Sequence, residues 1–245
     1  MALVWLVLIV GLVAVVWYAR GSTAAVRVLF VGNSYTFYND LPSMVVSLAD
    51  SAGVGVSASL IAPGGAWLAD HARSPEVAAA MSDGDYDVVV LQEQSMVTAD
   101  PEIARDSTYP AAAALAQMAA AAGAEVVFFQ TWGHQSGNVQ VGHGSYESMQ
   151  DAITATYADL GIRSAGQVAP VGEAWRVHFR SGSTFPLHDA DGSHPNLSGS
   201  YLAAAVIAAT IIDRDPGELT WRGPVDEGTA RLLIESASIA IGAAP

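Results

Sequence analysis

The stretch Asp87-Val-Val-Val-Leu-Gln92 decides which fold this chain is expected to adopt. Its four central residues are apolar, so the segment lacks the alternation of a strand with one face in water. A strand that is apolar on both faces is typical of a parallel sheet covered by helices on either side. The stretch Glu125-Val-Val-Phe-Phe-Gln130 repeats the pattern further along the chain.

Short apolar runs alternate with alanine-rich helical patterns over most of the sequence. This alternation predicts a doubly wound parallel sheet in a three-layer α/β/α architecture. Functional side chains are expected at the carboxyl ends of the strands, where such sheets bind their ligands. The predicted strands span 26–31, 54–61, 87–92, 125–130 and 167–170, and the predicted helices span 41–52, 66–73, 76–81, 109–122, 146–160, 171–179, 196–212 and 225–241.

Composition narrows the class of protein. The 245 residues contain no cysteine, which excludes disulfides, thiolate catalysis and cysteine-ligated zinc. A formal net charge of -14 disfavours a nucleic-acid partner or an anionic lipid surface. No linker or repeat interrupts the interior, so one domain is predicted over 26–245.

An apolar segment from Ala2 to Tyr18, closed by Arg20, stands apart from this domain. Its length fits a short membrane span and slightly exceeds a signal-peptide core. Residues 1–20 are therefore predicted to be a signal peptide or an N-terminal anchor. A third alternative is a buried helix of the domain. The protein is expected to be secreted or membrane-anchored, with membrane contact only through this segment. A retained anchor with Arg20 on its carboxyl side would favour a cytoplasmic domain.

Asp191-Gly-Ser-His194 places a carboxylate and an imidazole three residues apart, just before a predicted helix. Imidazole titrates near neutral pH and suits a general base, which a carboxylate can orient. Ser34, just past the strand 26–31, is the candidate nucleophile that such a base would activate. Taken singly, a serine there also fits a helix cap, and Asp-x-x-His also fits a surface turn. Asp189 is a weaker rival for the carboxylate.

Acyl transfer also needs hydrogen-bond donors where negative charge develops on the substrate oxygen. Gly64-Gly65 follows a predicted strand and could offer a backbone N–H group, with Gly65 preferred. Gln92 ends its strand and could offer a side-chain amide. A plain turn at the glycines and a polar strand end at Gln92 are the alternatives.

Taken together, these positions resemble the SGNH (GDSL-like) hydrolase family. Gly32-Asn33-Ser34 resembles the block that carries its nucleophile, Gly64 or Gly65 its second-block glycine, and Asp191-Gly-Ser-His194 its Asp-x-x-His block. The resemblance covers 26–212. It implies a flavodoxin-like α/β/α fold, a Ser-His-Asp triad, and ester hydrolysis without a metal or other cofactor.

Two blocks depart from the family pattern. The first reads Gly-Asn-Ser where Gly-Asp-Ser is commoner. The third, usually Gly-x-Asn-Asp, reads Gln92-Glu-Gln94-Ser95, so the oxyanion asparagine is missing. Some carbohydrate-acetylesterase branches of the superfamily resemble this chain in having glutamine at that strand end. The resemblance therefore favours Gln92 as the replacement, with Gln94 as the alternative.

Other motifs are less informative. The remaining histidines lack a metal-ligand spacing, so no metal site is predicted. Gly53-Val-Gly55 starts a dinucleotide-like pattern, but a predicted helix precedes it and a strand follows, the reverse of what phosphate binding needs. The sequence contains no Gly-x-Ser-x-Gly elbow. Trp132 and His134, past a strand end, and the aromatic cluster of Tyr35, Phe37 and Tyr38 fit either a pocket wall or ordinary packing.

The sequence thus predicts a serine ester hydrolase that releases short acyl groups, acetyl above all, from a small-molecule or carbohydrate ester. Two alternatives stay open. One is a cell-surface binding or scaffold domain that keeps the fold without turnover. The other is a sugar O-acyltransferase.

Overall fold

The computed structural model describes residues 25–243, which form a five-stranded parallel sheet with helices on both faces. The strands are β1 (Val26–Val31), β2 (Val56–Ile61), β3 (Val88–Leu91), β4 (Glu125–Phe129) and β5 (Gln167–Ala169), in the order β2-β1-β3-β4-β5. This is a flavodoxin-like doubly wound order, and it confirms the predicted fold class. The segment predicted as a signal peptide or anchor lies outside the described residues.

Helices connect the strands and complete the two outer layers. Among residues 25–243, none of them is both long enough and apolar enough to cross a membrane. The α-helices are α1 (Ser34–Phe37), α2 (Leu41–Ser51), α3 (Leu68–His71), α4 (Pro75–Asp83), α5 (Ser95–Ala99), α6 (Pro101–Ile103), α7 (Tyr109–Ala121), α8 (Tyr146–Ser164), α9 (Val171–Arg180), α10 (Leu197–Ile212) and α11 (Glu227–Gly242).

Successive strand residues face opposite layers, because side chains alternate along a strand. Val28, Phe30 and Val90 are buried against α2, α9, α10 and α11. Leu29 and Val89 are buried in a second cluster with α3, α4, α7 and α8. Both faces of the central strands are therefore covered, which explains why their sequences are continuously apolar.

The main differences from the sequence prediction lie at helix ends and after strands. The helix predicted over 146–160 continues through Gly161 to Ser164, and Ala165 takes the left-handed conformation that ends it. A Cβ on Gly161 would lie 3.0 Å from the side chain of Val168. Gly161 therefore permits close packing on β5 instead of ending the helix. The short helices α1 and α5, both just past strand ends, were not predicted.

Helix α10 fixes the chain that follows the Asp-x-x-His motif. Asn196 caps it by accepting a hydrogen bond from the Gly199 N–H group at 3.0 Å. A Cβ on Gly199 would lie 2.4 Å from the Leu187 carbonyl oxygen and 2.7 Å from the ring of Trp175. The start of α10 therefore packs directly against the backbone that precedes the motif.

Replacing Gly199 by alanine is expected to lower the free energy of unfolding by about 1–3 kcal/mol, because the added methyl group overlaps backbone that cannot move freely. The matched control is Gly228→Ala, an exposed glycine in the first turn of α11. There alanine is expected to be neutral or to stabilise by up to about 1 kcal/mol. Urea denaturation of both variants measures this, and equal effects would contradict the packing argument.

Candidate active site

Ser34 is the first residue of α1, directly after the short turn that follows β1. Asn33 is buried and caps α1, since its side-chain oxygen accepts a hydrogen bond from the Tyr35 N–H group at 3.1 Å. Its amide nitrogen donates to the Ala66 carbonyl oxygen at 3.0 Å. Asn33 therefore fixes the serine and joins its turn to the loop that contains Gly64-Gly65.

The structure brings Ser34, His194 and Asp191 together in a hydrogen-bonded row. The Ser34 hydroxyl oxygen lies 2.9 Å from Nε2 of His194, and Nδ1 of His194 lies 2.6 Å from a carboxylate oxygen of Asp191. The imidazole side chain is about a quarter exposed. In this row one imidazole nitrogen can take the serine proton while the other donates to the carboxylate.

The Asp-x-x-His spacing explains how one short turn holds the acid and the base. The second carboxylate oxygen of Asp191 accepts hydrogen bonds from the N–H groups of Ser193 and His194, both at 2.9 Å. Partial burial raises the pKa of Asp191, but these bonds and the one from the imidazole outweigh it and lower the pKa to about 2. The rival Asp189 instead accepts from its neighbour Ala190 at 2.8 Å.

Gln92, the candidate oxyanion donor favoured by the sequence, holds its side-chain amide inside the protein. Its side chain is fully buried, and its amide nitrogen donates to the Glu93 carbonyl oxygen at 2.7 Å. Its oxygen accepts from the Asn33 N–H group and the Thr36 hydroxyl, both at 2.8 Å. Both ends of the amide therefore make hydrogen bonds inside the protein. A Cβ on Gly32 would lie 2.6 Å from this oxygen, so a glycine is required there.

Gln94 has a free donor. Its side-chain oxygen caps α5 by accepting from the N–H groups of Met96 at 2.6 Å and Val97 at 3.1 Å. Its amide nitrogen has no hydrogen bond to any residue within 25–243. The next residue, Ser95, contacts Tyr35 in α1 through their hydroxyl groups at 3.3 Å. The Gln94 turn therefore lies beside the serine turn.

Two backbone donors are also unpaired. Within the described part of the chain, the N–H groups of Ser34 and Gly65 make no hydrogen bond. Gly65 adopts a φ of 73°, a left-handed conformation that favours glycine. These two groups and the Gln94 amide are unpaired donors on the loops around the serine.

A stack of aromatic rings supports the turn that contains His194. Trp132 is fully buried between the rings of Tyr35 and Trp175, with ring centroids 4.7 and 4.0 Å away. Its indole N–H donates to the Ser193 carbonyl oxygen at 3.0 Å. Trp132 is therefore a support for the Asp191–His194 turn, and its burial excludes a place on a pocket wall.

His134 belongs to a polar cluster next to this stack. Its Nε2 lies 3.1 Å from the Ser193 hydroxyl and 3.3 Å from that of Ser95. Burial lowers the pKa of His134, which keeps the ring neutral near pH 7. The phenol of Tyr35 lies 2.5 Å from the Ser193 hydroxyl, and burial raises its pKa to about 12. Neutral groups therefore surround the triad on this side.

Glu93 is a fully buried carboxyl group between the site loops. It accepts from the N–H groups of Gln94 at 2.8 Å and Leu68 at 3.1 Å, and from the Thr108 hydroxyl at 3.1 Å. Burial raises its pKa to about 7 despite these bonds. Glu93 therefore connects the Gln94 turn to the start of α3.

Four other histidines have partners inside the fold. Within residues 25–243, no group of three or more acidic or histidine side chains is arranged to hold a metal ion. The histidine rings bond to backbone carbonyl oxygens: His71 to Gly32, His143 to Ala99, His178 to Phe185 and His188 to Gly133.

Sequence reasoning missed several supports of the site. Glu93 and Asn33 entered the prediction only as parts of motifs. A charged or amide residue two positions after an apolar strand is itself a signal of a buried polar contact. Tyr38, whose ring stacks on His194 with centroids 4.2 Å apart, has no sequence signal beyond its place in an aromatic cluster.

Comparison with known proteins gives a family for this fold and site. No protein-family model matches the chain, and no curated protein matches it significantly. Among solved structures, a protein from Slackia heliotrinireducens described as a candidate SGNH hydrolase is 33% identical, with a TM-score of 0.66, over 77% of this chain and all of that one. The chain therefore belongs to the SGNH hydrolase superfamily.

Two more distant structures share the fold. A DUF4886 family protein from Bacteroides uniformis has a TM-score of 0.72 at 16% identity, over 90% of this chain and 96% of that one. A carbohydrate esterase family 3 protein from Talaromyces cellulolyticus has a TM-score of 0.57 at 18% identity, over 77% and 97%.

The buried Glu93 is expected to make stability depend on pH. Because its pKa is raised from 4.5 to about 7, the folded protein retains a proton that the unfolded chain has lost. Its contribution therefore falls as pH rises from about 4.5 to about 7. The variant Glu93→Gln has no carboxyl group to titrate at this position, so its stability does not fall for this reason.

Urea denaturation of both proteins at pH 5 and pH 8 measures the effect. From the lower to the higher pH, Glu93→Gln is expected to gain about 1–3 kcal/mol relative to the wild type. If the free energies of unfolding of the two proteins differ by the same amount at both pH values, the prediction is contradicted.

Proposed function

We propose that this protein is a serine ester hydrolase that uses Ser34, His194 and Asp191. The observation that carries the proposal is the 2.9 Å contact between the Ser34 hydroxyl and Nε2 of His194. Serine is a poor nucleophile unless a base takes its proton, and a neutral imidazole at hydrogen-bond distance is such a base.

In the first half of the reaction, the Ser34 oxygen attacks the ester carbonyl carbon while its proton passes to Nε2 of His194. The tetrahedral intermediate collapses when His194 gives that proton to the leaving alcohol, and an acyl-serine forms. In the second half, His194 takes a proton from water, and the resulting hydroxide attacks the acyl group. The proton then returns to the Ser34 oxygen, which restores the enzyme and releases the acid.

Asp191 has a constant role in both halves. Its low pKa keeps the carboxylate ionised at any pH where imidazole is neutral. It therefore accepts from Nδ1, which leaves Nε2 as the proton acceptor, and it stabilises the imidazolium that forms in each half.

The oxyanion donors we propose are the N–H groups of Ser34 and Gly65 and the side-chain amide of Gln94. Each is unpaired within the described residues, whereas both ends of the Gln92 amide are used internally. Gln94 would thus replace the asparagine missing from the third block. Donors held in advance at the place where charge develops are worth much more than donors in water.

The substrate class we propose is a short acyl ester, acetyl above all, carried by a carbohydrate or a small molecule. Its support is the likeness of the fold to a carbohydrate esterase together with the glutamine-containing third block. A clear preference for decanoate over acetate as the acyl group would contradict it.

Ser34→Ala is expected to lower hydrolysis of 4-nitrophenyl acetate to the rate of the buffer, because the acyl-serine cannot form. Labelling by a fluorophosphonate, which needs the same activated serine, is expected in the wild type and absent in the variant. Ser198→Ala, which changes a serine of α10 that makes no side-chain hydrogen bond within 25–243, is the control. Undiminished hydrolysis by Ser34→Ala would overturn the proposal.

Gln94→Glu separates the donor from the helix cap. The glutamate keeps an oxygen to cap α5 but replaces the amide N–H group with an acceptor. We expect kcat for 4-nitrophenyl acetate to fall by about 10²–10³ with little change in the thermal midpoint. An active Gln94→Glu enzyme would exclude this residue as an oxyanion donor.

A further inference from the structure

The catalytic imidazole is covered by an aromatic ring that the proposed mechanism does not use. The ring of Tyr38 stacks on His194 with centroids 4.2 Å apart and planes 16° apart. Tyr35 contacts the same imidazole by an edge, at 5.5 Å. The neighbouring Phe37 is in contact with Tyr38 at 5.7 Å. One face of the imidazole therefore lies against Tyr38.

The backbone places Tyr38 there through a strained turn. Asn39 and Asp40, the next two residues, both adopt left-handed conformations, with φ of 55° and 56°. Two consecutive non-glycine residues in this region are uncommon, and such strain persists only where surrounding contacts enforce it. The turn between α1 and α2 is therefore held by contacts outside itself.

Those contacts lead to the loop that contains the imidazole. The Asn39 amide nitrogen donates to the Pro195 carbonyl oxygen at 3.1 Å and to the Ser200 hydroxyl at 2.9 Å. Pro195 directly follows His194, and Ser200 lies in α10. The turn after the nucleophile is thus bonded to the residue that follows the base and to the helix that comes next.

The stack has a chemical consequence for the imidazole. In the proposed mechanism His194 takes a proton in each half-reaction, and the cation then develops against the negative face of the Tyr38 ring. The ionisable groups around it are Asp191, Tyr35 and His134, of which Asp191 supplies the negative charge. The ring face adds an interaction that is stronger in the transition state than at rest, and it limits rotation of the imidazole.

We propose that Tyr38 is a positioning residue that holds His194 in its catalytic orientation and stabilises its protonated form, and that the Asn39 turn presses it into place. The inference rests on the proposed function, since it assigns His194 the role of base. The aromatic ring is what acts, and the phenol hydroxyl is not needed.

Tyr38→Leu tests the ring and Tyr38→Phe tests the hydroxyl. With 4-nitrophenyl acetate, Tyr38→Leu is expected to lower kcat by about 3- to 30-fold, with KM changed by less than about twofold. Tyr38→Phe is expected to keep wild-type kcat. The matched control is Tyr86→Leu, a partly buried tyrosine just before the amino end of β3, whereas the site lies at the carboxyl ends of the strands.

A second measurement reports the stack itself. The ring protons of His194 are expected to move downfield in the NMR spectrum of Tyr38→Leu, where the ring current of the tyrosine is lost, and to stay in place in Tyr38→Phe. Unchanged kcat in Tyr38→Leu would overturn the inference. A raised KM at constant kcat would also overturn it, because it would make Tyr38 a substrate contact.

Asn39→Gly tests the turn, since glycine keeps the left-handed conformation and removes the two hydrogen bonds. Its loss of kcat is expected to overlap with that of Tyr38→Leu, so the double variant is expected to be no slower than the worse single one. If the two losses of kcat multiply in the double variant, the link between the Asn39 turn and the Tyr38 ring is overturned.

Fluorophosphonate labelling of the wild type separates the two proposals. If the wild type is not labelled, both the proposed function and this inference are contradicted. Equal labelling rates in the wild type and Tyr38→Leu would overturn the inference alone.

Discussion

The side-chain oxygen of Gln92 accepts two buried hydrogen bonds on which the nucleophile turn depends. One comes from the Asn33 N–H group and the other from the Thr36 hydroxyl. Both donors are buried, and a buried donor without a partner costs about 1–3 kcal/mol. The end of β3 therefore sets the conformation of the turn after β1, which is its neighbour in the sheet. The turn that leads to Ser34 is thus held by hydrogen bonds to a buried amide of the neighbouring strand end.

The second half of the site depends on contacts to the turn that holds His194. Asp191 closes that turn through two backbone N–H groups, Trp132 holds the Ser193 carbonyl oxygen, and Asn39 holds the Pro195 carbonyl oxygen. These partners come from separate parts of the chain. Neutral or aromatic side chains supply most of the remaining contacts, so the carboxylate of Asp191 is the main charge that the imidazole meets.

The strands and the contact between Asp191 and His194 were predictable because their physical causes are local. A strand that is buried on both sides in a parallel sheet needs apolar residues on both faces, as in Val88–Leu91. The Asp-x-x-His motif closes a turn through its own backbone. The free amide after β3 was not predictable in the same way. Gln92 and Gln94 are two residues apart, and only the path of the backbone after β3 decides which amide is free. Gly161 led to a wrong prediction of the helix end for a similar reason. Glycine is favoured both where a helix ends and where a helix packs closely on a strand, and the sequence does not distinguish the two.

By itself, then, the sequence determined the order of strands and helices, the α/β class and the candidate nucleophile, base and acid, because hydrophobic periodicity and short motifs are properties of neighbouring residues. Tertiary structure alone decided that Gln92 is internal while Gln94 keeps a free amide, that Trp132 is a support, and that Tyr38 lies on the imidazole. These outcomes depend on hydrogen bonds and ring contacts between residues far apart in the chain. Their geometry is fixed only when the sheet and both helix layers are packed.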